Sequence, residues 1–274
     1  MPSFCLYLYI QNINLVMDQQ QVATKPSFPT ELVELPSKGV LYPKDSPLSS
    51  GKIEMKYMTA KEEDILTNQN YIRQGIVLDK LLESLIVSKI NYDDLLIGDK
   101  NAVFIASRVL GYGKDYSFNY TSPVTGETEQ ITIDLTKLDE KELDTISLVT
   151  PGVNEFAFTL PHTETKVTFK LLTHGDEKAI DKEIEGLKKL NNNLSYDVTT
   201  RLKFIITSVE GDKSKGTIRN FVDNHLMARD SKALREHISK ISPDIKLTFD
   251  YNSNGYTKEG IPLPIDISFF YPND

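Results

Sequence analysis

One cysteine, Cys5, stands in 274 residues, and tryptophan is absent. With a single thiol no intrachain disulfide can form, and zinc sites built on cysteine pairs are excluded. A reducing cytoplasm is the compartment that suits such a chain. Positive charge is also short: 31 Lys and Arg face 39 Asp and Glu, a formal net charge of −8. A nucleic-acid binder carries a Lys/Arg excess on one face, so this balance argues against that class. Long apolar runs are missing too. The first sixteen residues have no charged side chain, yet Gln11, Asn12 and Asn14 interrupt them. A membrane span needs about 20 apolar residues. A signal peptide needs a basic start and a small-residue cleavage site, and neither is present. Translation is expected to begin at Met17, which makes residues 1–16 a start-site extension; the alternative is a short hydrophobic arm that docks on a partner.

What is present is globular in character. The chain is 39% hydrophobic and 26% charged, with a length that fits one or two domains. Residues 17–58 are rich in Pro, Ser and Gln and lack a sustained period, so they are expected to form an extended N-terminal arm, with a mobile tail over residues 17–28. In Leu35-Pro-Ser-Lys-Gly39 and Leu41-Tyr-Pro43, the prolines push their predecessors toward extended geometry and Gly39 permits a turn. Leu35, Leu41 and Tyr42 are its apolar anchors, aimed either at a partner or at the chain's own domain.

Thr59-Ala-Lys-Glu62 is a capping box that opens a helix reaching about Asn70. Ile76 to Ile86 carries a wide apolar stripe, and Asp99 is placed to cap a third helix that Gly111 ends. The period then switches to two. Tyr116, Phe118 and Tyr120 alternate on one strand and Ile131, Ile133 and Leu135 on the next, around the turn Ser122-Pro-Val-Thr-Gly126. Phe156-Ala-Phe158 and Val167-Thr-Phe169 suggest a second antiparallel pair. Helices are expected at about 175–190, at 199–209 and within 217–241, the last with Asp230 as a cap. Strand signals close the chain at Leu247–Tyr251 and Pro262–Ile267.

The predicted class is α+β, with helical segments alternating with antiparallel β-hairpins. The predicted segments are 59–136 (helices and first hairpin), 137–172 (a linking β segment) and 173–274 (helices and C-terminal hairpin). Phe118-Asn-Tyr120 and Phe249-Asp-Tyr251 open the two hairpins alike, which suggests a weak internal duplication of residues 59–136 and 173–272.

Catalytic chemistry finds little support. His162, His174, His225 and His237 form no H-x-x-x-H or H-E-x-x-H pair. Gly111-Tyr-Gly-Lys114 lacks P-loop spacing and precedes a strand, where phosphate binding needs a helix N-terminus. Asp93 and Asp94 are adjacent on an irregular stretch, so their carboxylates diverge. No G-x-S-x-G is present. Charge is uneven: residues 127–145 hold two Lys and seven Asp or Glu, whereas residues 197–240 hold nine Lys or Arg and six Asp or Glu. Opposite patches of this kind steer protein docking. The first hairpin turn has the shape of a zinc knuckle, Cys-Pro-x-Cys-Gly, with both sulfurs replaced, and Asn252-Ser-Asn-Gly255 sits at the matching place in the second.

Five segments carry a resemblance: Leu35-Pro-Ser-Lys-Gly-Val-Leu-Tyr-Pro43, Ile53-Glu-Met-Lys-Tyr-Met-Thr-Ala60, Ile218-Arg-Asn-Phe-Val-Asp-Asn224, Ala228-Arg-Asp-Ser-Lys-Ala-Leu-Arg235 and Phe269-Phe-Tyr-Pro272. With these the chain resembles the baseplate hub proteins of T-even-type tailed bacteriophages over about residues 31–272. Many such relatives keep cysteine knuckles in both hairpins and a Trp where Tyr271 stands here. The turns of this chain offer Ser122, Pro123, Thr125 and Gly126, then Asn252, Asn254 and Gly255, so no bound zinc is carried over and no cofactor is expected.

The resemblance implies a late structural or assembly protein, not an enzyme, that binds other baseplate hub proteins and neither membrane nor nucleic acid. It would act in the host cytoplasm during assembly, either as a transient assembly factor or as a subunit retained in the virion tail baseplate. Its partner-binding candidates are Leu35, Pro36, Lys38, Gly39, Leu41, Tyr42, Pro43, Arg229, Asp230, Arg235, Phe269, Phe270, Tyr271 and Pro272. Extended arms and concentrated aromatics are common ways to clamp a partner. Phe269 is also placed to complete the core face of the last strand, and capping or surface charge competes for Arg229, Asp230 and Arg235. Two other classes compete with this one: a ribbon-like nucleic-acid binder, and a cell-wall hydrolase, which would need a carboxylate pair across a cleft.

Overall fold

In the computed structural model, which describes residues 29–141, 143–190, 196–253, 256–265 and 267–270, the arm begins as an antiparallel pair. Strands β1 (Thr30–Glu34) and β2 (Lys52–Lys56) are in register from Thr30↔Lys56 to Glu34↔Lys52. Between them the chain turns tightly through residues 35–43. The tail at 17–28, Cys5 and the proposed start at Met17 lie outside the described residues.

The capping box at Thr59 forms: the Thr59 N–H and hydroxyl both donate to the Glu62 carboxylate, at 3.0 and 2.6 Å. The helix it opens, α1 (Ala60–Leu66), is shorter than expected. Asn68 interrupts it and caps α2 (Gln69–Gln74), its side chain accepting from the N–H groups of Asn70 and Tyr71. Asparagine readily competes for local backbone donors in this way. The apolar stripe becomes α3 (Val77–Leu85). Next comes α4 (Ile97–Tyr112), which Leu96 caps and Gly113 ends. Asp99 is therefore inside the first turn and not the cap, and Gly111 is not the terminator. Gly98 sits where a Cβ would overlap the Pro243 carbonyl oxygen, so only glycine lets α4 approach that backbone.

The first hairpin, β3 (Asp115–Thr121) with β4 (Thr128–Asp134), is paired along its full length. The short strand β5 (Glu140–Lys141) precedes the second pair, β6 (Phe156–Thr159) and β7 (Lys166–Phe169). Two helices follow, α5 (His174–Leu190) and α6 (Asp197–Ile205). The stretch expected to continue α6 to Val209 instead forms β8 (Ile206–Val209), which pairs with β7 into a three-stranded sheet. Ile206, Thr207 and Val209 are β-branched, and the open edge of β7 gives them a ladder. Then come α7 (Lys215–Asn224), α8 (Ala228–Ile241) and β9 (Asp244–Ile245), which pairs with β5.

The closing hairpin is β10 (Thr248–Ser253) with β11 (Tyr256–Pro262). The last strand thus ends at Pro262, where a strand over 262–267 was expected. Pro262 and Pro264 lack the N–H that a continuing ladder needs. A 3₁₀ turn (Ile267–Phe270) follows.

With eight α-helices and several antiparallel pairs among the described residues, the fold is α+β. The two hairpins face each other. Ring centroids of Phe118 and Phe249 are 5.0 Å apart, and those of Tyr120 and Tyr251 are 4.7 Å apart. The matched triplets thus pack against one another, although β10–β11 carries a register shift between Phe249 and Tyr251 that β3–β4 does not show. One apolar cluster runs from Leu35 through both halves to Phe270.

Candidate protein-binding surface

One buried carboxylate holds the arm. Asp99 accepts from the Ser37 N–H (2.9 Å), the Ser37 hydroxyl (2.7 Å) and the Tyr42 hydroxyl (2.5 Å). The Tyr42 oxygen in turn accepts from the Leu96 N–H at 3.0 Å, at the start of α4. Burial drives the Asp99 carboxyl above its ordinary range, although these donors oppose the rise. The Tyr42 hydroxyl is also pushed up, first by burial and then by the Asp99 charge. Gly39 has φ +78°, and a Cβ there would lie 2.5 Å from the Ser49 carbonyl oxygen. Leu35, Pro36, Gly39, Leu41 and Tyr42 are consequently interior residues of this chain, and their side chains are not free to anchor a partner. Lys38 and Pro43 remain exposed, with Lys38 paired to Glu140 at 2.8 Å.

The outer side of the same turn does face solvent. Residues 41–47 form one wall of a groove of about 600 Å³, completed by Asn91, Asp94 and residues 152–154. The Gly152 N–H donates to the Val40 carbonyl at 3.1 Å, which ties the walls together. Val40, Val149 and Val153 are each between 41% and 47% exposed in these segments. The charged residues lining the groove, Asp45 and Asp94, are both acidic. Asp93 turns away from it and pairs with Lys178 at 2.9 Å.

The other sequence candidates are dispersed. Arg229 and Arg235 are exposed on α8. Asp230 is buried and serves the β6–β7 turn, accepting from the His162 N–H (2.8 Å), the Thr163 N–H (3.1 Å) and the Thr163 hydroxyl (2.8 Å). Burial works against its charge, but these donors prevail and hold its carboxyl below the usual range. Its own helix is capped by Met227. Phe269 and Phe270 have no exposed surface and pack on Phe104 at 5.1 and 5.2 Å. The buried Arg108 guanidinium clamps them, donating to the Phe269 carbonyl at 2.7 Å. This pair is a core plug, not an exposed aromatic surface. Tyr271 and Pro272 lie outside the described residues.

The knuckle-shaped turns do not fit a metal. The Ser122 oxygen is buried and accepts from the N–H groups of Val124 and Thr125, and the Gly126 N–H closes the turn onto the Ser122 carbonyl. Pro123 and Thr125 are exposed, as is Asn252 in the second hairpin, and none offers a thiolate or imidazole. Asn254 and Gly255 lie outside the described residues. Among the described residues, no group of three His, Cys, Asp or Glu is placed to hold a metal ion. His174 is buried beside Lys100 (3.1 Å from Nδ1) and Asp79 (3.6 Å from Nε2), in a network that joins α3, α4 and α5.

With this geometry in hand, the chain matches the family model of T4 bacteriophage base plate protein over residues 31–259. The chain belongs to that family. No curated protein and no solved structure matches it. The matched span takes in the arm from residue 31, both hairpins' facing strands and the eight α-helices found among the described residues of the baseplate protein. Within its acidic stretch, Asp134, Asp139 and Glu140 pair with Lys114, Lys246 and Lys38. On α7 and α8, by contrast, Lys215, Arg219, Arg229 and Lys240 have no ion-pair partner among the described residues. Among the described residues no helix is long and apolar enough to cross a membrane. Sequence reasoning missed Asp45, Asp94 and Val153 as groove residues. Nothing in their local pattern signals it, because the groove forms only when residues 41–47 meet 152–154.

Proposed function

We propose that this baseplate protein is a non-enzymatic component of the baseplate hub, the central assembly beneath the tail tube, and that it acts by binding other hub proteins. The observation that carries this reading is the arm. Its motif, Leu35 to Pro43, is one of the segments that carry the hub resemblance, and a buried carboxylate fixes its shape while its outer side stays open. A surface held rigid before docking loses less conformational entropy on association. Of the candidates named from sequence, Lys38, Pro43, Arg229 and Arg235 keep the exposure that partner contact requires.

Deleting the gene from a phage that carries it is expected to abolish infectious particles and to leave incomplete hubs, visible by electron microscopy. Normal particle yield and normal baseplates in the knockout would sink the reading. Mass spectrometry of purified virions then separates a resident subunit, which is recovered, from an assembly factor acting only in the host cytoplasm, which is not.

A further inference from the structure

We propose that the groove between residues 41–47 and 152–154 is a docking site for an extended segment of another baseplate protein, one that presents an apolar side chain flanked by lysine or arginine. This rests on the hub reading above and names the surface and chemistry through which it operates.

The lining decides the class of occupant. Its neutral polar side chains are already engaged within the chain. Asn154 donates to the Leu171 carbonyl at 2.7 Å and accepts the Leu171 N–H at 2.9 Å. Asn91 accepts from the Asp93 N–H and donates to Asp94, and Ser46 accepts from the Leu48 N–H. A small-molecule site needs several convergent, unspent polar groups to orient its ligand, and these are not left over here. What remains is apolar edge, from Pro43, Pro47 and the half-exposed Val153, with two carboxylates beside it.

Those carboxylates stand out from their neighbours. Asp93 is matched by Lys178, and Asp79 by Lys100 at 2.6 Å. Asp45 and Asp94 have no cationic partner among the described residues, and no lysine or arginine lines the groove. An apolar slot rimmed by one sign of charge selects a partner that brings the opposite sign next to an apolar anchor. The anchor supplies affinity, and the charge pairing supplies orientation and on-rate. The volume of about 600 Å³ is within the roughly 300–1,000 Å³ range of sites that enclose their ligand. The walls are fixed in advance by Asp99 and by the Gly152–Val40 hydrogen bond, as a preformed site requires.

The test uses the full chain, co-expressed with each of the other baseplate proteins of the same genome. Two variants keep the fold intact because they change exposed positions: Val153→Glu, and the pair Asp45→Lys with Asp94→Lys. Unchanged circular dichroism and thermal midpoint check this. Support consists of a complex with a baseplate protein that slows hydrogen exchange at residues 40–47 and 150–154. Each variant should then weaken it at least tenfold, the carboxylate pair losing its effect in high salt. Reversing the responsible Lys or Arg of the partner to Glu should restore binding to the Asp45→Lys/Asp94→Lys chain. If a baseplate complex forms but neither variant alters it and protection falls elsewhere, the groove assignment is overturned while the hub reading stands. Protection of the groove by a second copy of this chain, seen as a dimer in sedimentation, also overturns the occupant proposed. If no baseplate protein binds, the hub reading itself fails, and the groove assignment with it.

Discussion

At the residue scale, two aspartates explain more of this molecule than any aromatic. Asp99 and Asp230 each lie in the first turn of a helix, where the N-terminal dipole favours an anion, yet each spends its oxygens on a segment far away in sequence. Asp99 fixes the arm and Asp230 fixes the β6–β7 turn. Tyr42→Phe removes one donor from Asp99 and strands the Leu96 N–H. It is expected to cost about 1–3 kcal/mol, the penalty for leaving buried polar groups unpaired. An unchanged urea midpoint would show that the latch contributes nothing.

Histidines set the pH response near neutrality. Burial, with Lys100 adding to it, holds His174 below its ordinary 6.5 against the pull of Asp79 and Asp93. Burial also depresses His237, which stacks on Phe158 at 4.5 Å. Because their folded pKa values are lowered, the unfolded chain binds more protons as pH falls past 6.5, and stability drops with it. Asp99 has the opposite sign: its raised pKa gives a contribution that is full below 3.8 and lost as pH rises through the folded value. Unfolding free energy should therefore decline from pH 7.5 to 5.5, and less steeply in His174→Gln/His237→Phe. A slope identical to that of the parent chain would contradict the assignment.

At the scale of elements, the C-terminal 3₁₀ turn acts as a keystone. Phe269 lies against Phe104, Tyr116 and the Arg108 guanidinium, so it joins α4 to the first hairpin. Phe269→Ala is expected to destabilise by about 3–5 kcal/mol, the range for emptying a buried aromatic site. Chemical denaturation would check this, and a loss below 1 kcal/mol would place Phe269 at the periphery. Elements with strong local signals were legible in sequence. The period-2 runs around Ser122–Gly126 predicted β3 and β4, and the capping box at Thr59 predicted the start of α1. Elements whose identity depends on a distant neighbour were not. Residues 206–209 satisfy a helical stripe as well as a strand, and only the free edge of β7 selects the strand. The groove was illegible for the same reason, since Asp45, Asp94 and Val153 are ordinary loop residues until three segments converge.

At the scale of the whole molecule, one apolar cluster spans residues from Leu35 to Phe270. The facing hairpins and the Arg108 clamp link the helical first half to the last hairpin. A single calorimetric transition is therefore expected, with van't Hoff and calorimetric enthalpies in agreement. Two resolved transitions would mean that the halves fold independently. The net charge of −8 is distributed to similar effect. Asp134, Asp139 and Glu140 are ion-paired within the chain, whereas among the described residues Asp45 and Asp94 at the groove and Lys215, Arg219, Arg229 and Lys240 on α7 and α8 have no ion-pair partner.

The amino-acid sequence by itself determined the α+β class, the hairpins, most helices and the family resemblance, because periodicity, caps and turns act over a few residues. Its lone thiol also excluded thiolate ligands from the first knuckle-shaped turn, which the Ser122 hydrogen bonds hold. Tertiary structure alone decided which candidate side chains face outward. Leu35, Tyr42 and Phe269 look like anchors for a partner when read along the chain, but Asp99 and Arg108 draw them inside. Burial depends on where remote segments come to rest, and no local pattern carries that information.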